Sequence, residues 1–166
     1  MSSDTIRVAS LGLGWWSDVL AEGVTNAKGI EVVSCFTRSE DKRKAFAEKF
    51  DCAYAGSYEE LLADDSIDAI INTTPNNIHL ETTKQAAEAG KHVFLDKPIA
   101  NSVGEGMEIA KICRAAKVKL SIGFQRRREN HFRWVQQEIQ AGRFGQIVQA
   151  EANISRDRLG QFEDGH

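Results

Sequence analysis

The sequence predicts an α/β fold: a doubly wound parallel sheet followed by the start of an incomplete α+β domain. Two observations carry this reading. From residue 4 to about 123, short β-prone apolar runs alternate with helix-length segments across short connections, a pattern that builds a parallel sheet covered by helices on both faces. After Gly123 the alternation stops and the chain turns polar and basic.

The first run, Ile6-Arg7-Val8-Ala9-Ser10-Leu11, is short and ends in a glycine turn, as a buried strand does. A helix is predicted over 16–27 and a second strand over 30–36. Ser39 is a natural N-cap for a polar helix running to Phe50. Residues 52–54 suit a short third strand. Ser57-Tyr58-Glu59-Glu60 has capping-box spacing before Leu61-Leu62 and predicts a short helix that stops near Asp65. A fourth strand follows over 67–73, a helix over 78–89 closed by Gly90, a fifth strand over 92–95, a helix over 102–116 and a sixth strand over 118–122. Beyond it, 131–141 reads as a helix closed by Gly142, and 146–155 alternates as a half-buried strand. One helix and one strand do not make a domain, and the strand would leave an unpaired edge unless further chain or a partner covers it. The expected division is therefore a domain over 1–123 and the beginning of a truncated second domain over 124–166, with the chain as the front part of something larger.

Composition sets limits on partners. The 166 residues suffice for one domain of roughly 100–150 residues, with a remainder too short for a second. A net charge of −3 gives no global positive field for nucleic acid or an anionic membrane, and Arg126, Arg127, Arg128 and Arg133 form the only basic cluster. The N-terminus lacks a signal-peptide pattern, and the longest apolar runs are strand-sized. Cys35, Cys52 and Cys113 are odd in number and scattered, which argues against a disulfide framework or a zinc site and for reduced core thiols in a cytoplasmic protein. No metal ligand set is expected.

Gly12-Leu13-Gly14-Trp15-Trp16-Ser17 follows the first strand and opens the first helix. In a Rossmann-type sheet the first glycine permits the tight turn and the second lets a pyrophosphate approach the backbone. The helix N-terminus offers free N–H groups and partial positive charge, and a small third residue, here Ser17, allows close packing. Strand–turn–helix context at the first βα unit is what gives this loose motif weight. Trp15 and Trp16 either pack on the helix face or wall the nicotinamide side of the cleft. The second strand ends in Cys35-Phe36-Thr37-Arg38-Ser39, without the carboxylate that grips the ribose hydroxyls of NAD. Two hydroxyls and a guanidinium suit a ribose 2′-phosphate instead, so NADP is expected in preference to NAD.

Three further segments carry a resemblance: Thr74-Pro75-Asn76-Asn77-Ile78-His79 after the fourth strand, Asp96-Lys97-Pro98 after the fifth, and Gly123-Phe124-Gln125-Arg126-Arg127 after the sixth. In order and spacing, over about the first 155 residues, the chain resembles the Gfo/Idh/MocA oxidoreductases, the glucose–fructose oxidoreductase and inositol dehydrogenase family. The resemblance implies hydride transfer between a nicotinamide and a sugar, polyol or similar small hydroxyl compound. It places Lys97 in the active site as the catalytic candidate, and Thr74, Pro75, Asn76, His79, Asp96, Pro98 and Arg127 along the cofactor, with the glycine turn (Gly12, Leu13, Gly14, Trp15, Trp16) and Thr37-Arg38. Asp96 stands where the family has glutamate, a longer arm, and the Lys97–Pro98 bond is expected to be cis. The family's proton acceptor is a histidine in a downstream Asp-x-x-x-His motif that this sequence does not contain, and His166 is in no matching context. The resemblance also implies a homo-oligomer when the full substrate domain is present. The alternative reading is a non-catalytic dinucleotide-binding module, a redox sensor or decayed paralogue.

Overall fold

Hydrophobic alternation and serine caps divide the chain as the sequence leads one to expect, with shorter strands. The computed structural model describes residues 5–153 and 155, which divide into two compact units, one up to Phe124 and one from Gln125 onward. The first unit runs β1 (Ile6–Leu11), α1 (Trp15–Thr25), β2 (Ile30–Phe36), α2 (Glu40–Phe50), β3 (Ala53–Tyr54), α3 (Tyr58–Ala63), β4 (Ala69–Asn72), a 3-10 turn (Asn76–Ile78), α4 (His79–Glu88), β5 (His92–Leu95), α5 (Val103–Ala115) and β6 (Leu120–Ile122). The strands form one sheet in the order β3-β2-β1-β4-β5-β6, and every neighbouring pair is parallel. The chain thus starts mid-sheet, winds to one edge through β2 and β3, and returns to wind outward through β4, β5 and β6. This is the doubly wound Rossmann-type sheet, whose winding reverses between β1 and β4, the place where such sheets bind ligands at their carboxyl ends.

Local chemistry explains the helix starts. Ser39, Ser57 and Ser102 accept through Oγ from the backbone N–H of Lys42, Glu60 and Glu105 at 3.4, 3.0 and 3.2 Å, each such cap being worth about 1 kcal/mol. The return arm of the predicted capping box is displaced by one residue, because Glu60 Oε2 accepts from Gly56 N–H at 2.7 Å. Pro75 ends the extended segment after β4, and one 3-10 turn precedes α4 instead of a continuous helix from residue 78.

Two apolar layers clamp the sheet. Ala9 and Leu11 of β1, Ile70 of β4, and Val93 and Leu95 of β5 pack with Tyr58 and Leu61 of α3, Ala86 of α4 and Ile109 of α5. Leu13, Ala21 of α1, Cys35 of β2 and Phe46 of α2 form a second cluster. Leu61, Ile70, Leu95 and Ile109 are fully buried, and burial of such side chains contributes roughly 1.5–3 kcal/mol each. Cys35 and Cys113 are buried, Cys52 is half-buried, and all three are free thiols. Lys91 is also buried, and its ammonium donates to the carbonyls of Asp64 and Ile67 at 2.7 and 2.9 Å, tying the α3–β4 connection to the start of β5.

The second unit holds a 3-10 turn (Gln125–Arg128) and α6 (Asn130–Gln140). The strand expected over 146–155 is absent among the described residues, for 146–153 and Ser155 carry no strand and residue 154 lies outside the described set. The alternation of polar and apolar residues is present, but a lone strand has no ladder to pair with and is not stable by itself. No helix among the described residues is long and apolar enough to cross a membrane.

Candidate functional site

The parallel sheet brings the loops after β1, β2, β4 and β5 to one end, and hydrogen bonds knit them together. Gly12 adopts φ +83°, and a Cβ there would lie 2.9 Å from the Thr74 nitrogen and 3.0 Å from the Thr73 carbonyl atoms. Its own N–H donates to the Phe36 carbonyl at 2.9 Å. The Thr73 hydroxyl contacts the carbonyls of Leu11 and Gly12. The first glycine is therefore wedged between the ends of β2 and β4, a place the protein's own packing demands.

Gly14 differs. It begins α1 with φ −122°, nothing lies within 4 Å of its ideal Cβ position, and no side chain caps the helix. The fold has no steric need for glycine here. Open space beside an uncapped helix start suits an anionic ligand pressed against the backbone. Asp18, the acidic residue of the first turn, would oppose an anion, but its carboxylate lies 3.0 Å from the Lys49 ammonium. Ser17 is buried, with its hydroxyl donating to the Gly14 carbonyl at 2.6 Å, and it fills the small third position. Leu13 is buried in the core, which leaves only its backbone for a ligand.

Trp15 and Trp16 part company. Trp15 is 77% exposed. Trp16 turns inward and donates from Nε1 to Asp96 Oδ1 at 3.1 Å, joining the start of α1 to the loop after β5. The same Oδ1 would lie 3.0 Å from a Cβ on Gly123. The short aspartate arm thus reaches the indole and leaves little room beside β6. Lys97 and Pro98 are exposed and joined by a cis peptide bond. Among the described residues no partner holds the Lys97 ammonium.

His79 is fully buried and lies behind the cleft surface. Its Nε2 is 2.9 Å from the Thr74 carbonyl oxygen and its Nδ1 is 3.1 Å from the Pro98 carbonyl oxygen. It links the β4 and β5 loops, so any effect on a ligand passes through them. Thr74 is half-buried and donates from Oγ1 to Asn72 Oδ1 at 2.7 Å, while Pro75 and Asn76 are exposed. Thr37 and Arg38 follow β2, and Ser39 Oγ is committed to the α2 cap. Arg127 falls in the second unit, within the 3-10 turn Gln125–Arg128.

Two contributors escaped the sequence reading. Asn72 is buried; it accepts from Thr74 N–H at 3.1 Å and donates to Thr82 Oγ1 at 2.8 Å, which sets the turn after β4. Its signal was there: an asparagine two residues before the turn's threonine can form an Asx turn. Arg43 supports the loop after β2 from one turn into α2, a position that strand-end motifs do not cover.

The profile described as "Oxidoreductase family, NAD-binding Rossmann fold", that of Gfo/Idh/MocA, matches residues 6–124. The chain belongs to this family. Among curated Gfo/Idh/MocA relatives, 4-carboxy-2-hydroxymuconate-6-semialdehyde dehydrogenase of Sphingobium sp. is 29% identical over 82% of this chain and 44% of its own length. For 1,5-anhydro-D-fructose reductase of Ensifer adhaerens the values are 33%, 77% and 39%. Among solved structures, one from Desulfitobacterium hafniense, proposed to be an NADPH-dependent oxidoreductase, superposes with a TM-score of 0.83 at 33% identity, covering 86% of this chain and 41% of the other. The WlbA dehydrogenase of Bordetella pertussis, in complex with NADH and UDP-GlcNAcA, gives 0.83 at 27%, covering 89% and 43%. The chain spans less than half the length of each of these Gfo/Idh/MocA proteins.

Proposed function

We propose that this chain supplies the dinucleotide-binding part of an NADP-preferring oxidoreductase that moves a hydride between the nicotinamide and a carbinol carbon of a sugar, polyol or similar small hydroxyl compound. The observation that carries the proposal is Gly14, a glycine required by no contact among the described residues, set at an uncapped helix start. Its neighbours fit the same group. In this reading the N–H groups that open α1 receive the pyrophosphate, Leu13 through its backbone and Trp15 along the rim. Thr37 and Arg38 receive the ribose 2′-phosphate. Thr74, Pro75, Asn76 and Asp96 line the ring side, while Trp16 and His79 hold those loops. When bound, the nicotinamide supplies the hydride-accepting carbon. Lys97, exposed and without a protein partner among the described residues, is the catalytic candidate, because its ammonium would stabilise negative charge developing on the substrate oxygen. Pro98 fixes the turn that presents it.

The names of the sugar-reducing and sugar-nucleotide-bound relatives support the substrate class, and that of the Desulfitobacterium protein supports NADP. Localisation in the cytoplasm and, with a full substrate domain, assembly into homo-oligomers belong to the same proposal. The deciding experiment is a fluorescence titration with NADPH and NADH, excited at the tryptophans. Tighter binding of NADPH is expected. Tighter binding of NADH would overturn the NADP preference, and no saturable binding of either would overturn the dinucleotide role.

A further inference from the structure

Cys35 and Cys52 meet in one apolar cluster. Cys35 is fully buried near the end of β2, and the half-buried Cys52, just before β3, packs against the same group of Leu13, Ala21 and Phe46. Strand register accounts for the meeting. β2 and β3 run parallel with Ser34 opposite Ala53 and Cys35 opposite Tyr54, and side chains two residues apart in extended chain share a face. Cys52 therefore reaches the face that carries Cys35, the one covered by α2. Its N–H donates to the Ala47 carbonyl at 3.1 Å, which fixes the turn out of α2. The two thiols are unequal. Hydrogen bonding to Cys52, together with burial, pushes the Cys35 thiol up, and the same bond draws the Cys52 thiol below its ordinary value. Cys35 is thus held protonated, while Cys52 is both the thiol that ionises and the one open to solvent, the two properties that make a cysteine reactive. Cys113 lies apart, buried on α5 and outside this cluster.

We propose that Cys35 and Cys52 are a reversible thiol–disulfide pair, oxidised by a hydroperoxide and reduced by a dithiol, whose bond fastens β2 to the entry of β3. The Cys52 thiolate attacks one peroxide oxygen, the O–O bond breaks, the other oxygen leaves as hydroxide and takes up the proton that Cys52 released, and Cys52 becomes a sulfenic acid. The Cys35 sulfur then attacks the Cys52 sulfur, the S–O bond breaks, and the departing hydroxide takes the Cys35 proton. Two thiols are oxidised to one disulfide and the peroxide is reduced to water. A dithiol returns both thiols by exchange and leaves as its own disulfide. In a reducing compartment such a pair rests as thiols and oxidises transiently. The pair is independent of the dinucleotide reading, although the segment that the bond would close contains Thr37 and Arg38.

Peroxide treatment of the reduced 166-residue chain, followed by alkylation of the remaining thiols in denaturant and peptide mapping without reductant, tests it. The expected product is an intramolecular Cys35–Cys52 bond with Cys113 alkylated, and dithiothreitol should restore every thiol. In Cys35→Ser the reaction should stop at a sulfenic acid on Cys52, captured by dimedone. In Cys52→Ser capture at Cys35 should be about tenfold slower or more. A wild-type chain that keeps both thiols under peroxide, bridges only through Cys113 or between chains, or proceeds to sulfinic acid without a bond would overturn the proposal. Equal capture in the two variants would overturn Cys52 as the attacking thiol. Should either variant fail to fold, the wild-type map decides the pairing by itself, and the relative alkylation rates of Cys52 and Cys35 in the native wild-type chain decide the roles.

Discussion

Gly12 and Gly14 stand two residues apart in one motif, yet the structure gives them different reasons to be glycine, and alanine at each should separate those reasons. At Gly12 the backbone sits at φ +83°, where an L side chain costs roughly 1–2 kcal/mol. The new Cβ would also stand 2.9–3.0 Å from backbone atoms of Thr73 and Thr74. Backbone does not swing away as a side chain does, so the end of β4 must move, at a cost of about 1–3 kcal/mol. Lower entropy of the unfolded chain returns about 0.4–1 kcal/mol. The expected net loss for Gly12→Ala is about 1–5 kcal/mol, which at a urea slope of roughly 1–3 kcal/mol per molar moves the midpoint down by roughly 0.3 M or more. At Gly14 the backbone is extended and nothing lies within 4 Å. The loss of a good N-cap and the unfolded-state gain nearly cancel, so stability should stay within about 0.5 kcal/mol. Dinucleotide affinity should nevertheless fall about tenfold or more in Gly14→Ala, because the methyl stands where the ligand approaches. Urea unfolding and NADPH titration of both variants provide the test. An unchanged midpoint for Gly12→Ala would refute the wedge argument, and wild-type NADPH affinity in Gly14→Ala would refute the claim that a ligand is what keeps the second glycine.

Two further outcomes are expected. His79→Ala removes the imidazole that lies between the Thr74 and Pro98 carbonyls; its one N–H bonds one of them, so the lost hydrogen bond should cost about 1–3 kcal/mol, and a thermal midpoint equal to wild type would contradict the link. Tyr58 is buried and donates to the Thr82 carbonyl at 2.8 Å, and burial raises its pKa above the ordinary value of 10.0. The folded state therefore prefers the protonated phenol, and the resulting stability is fully present below about pH 10 and lost as pH rises beyond it. Urea midpoints followed from about pH 9 to 11 should fall more steeply for wild type than for Tyr58→Phe, and parallel curves would show that Tyr58 does not drive the alkaline loss.

The order and type of the elements were legible because both depend on nearest neighbours in sequence. Ser39, Ser57 and Ser102 each cap the helix they precede, and alternation in β1 puts Ala9 and Leu11 on one core face. Legibility failed where an outcome depends on what lies across space. Residues 146–153 have the alternation of a strand, but pairing requires a neighbour that a period of two does not reveal. The site followed the same division. The strand-end motifs lie on loops that the fold gathers at one end of the sheet, since parallel strands bring their carboxyl ends together. They could not show how those loops are held to one another.

Side chains do that holding. The shorter Asp96 meets the indole of Trp16, 80 residues away in sequence, so the residue that seemed only a shortened glutamate is half of a contact joining the glycine turn to the Lys97 loop. His79, which the motif suggested would face the cofactor, is buried between two carbonyls instead. Arg43 braces the loop after β2 in the same way. The proposed ligand would therefore meet a surface formed largely by backbone and by a few exposed groups, chiefly Arg38 and Lys97, with a second rank of buried and half-buried side chains fixing their positions. In such an arrangement a substitution in the second rank alters the geometry of several first-rank groups at once. Its effect on dinucleotide affinity should then exceed that of removing any one exposed hydroxyl, because preorganised loops lose less freedom on binding than loops that must be ordered by the ligand.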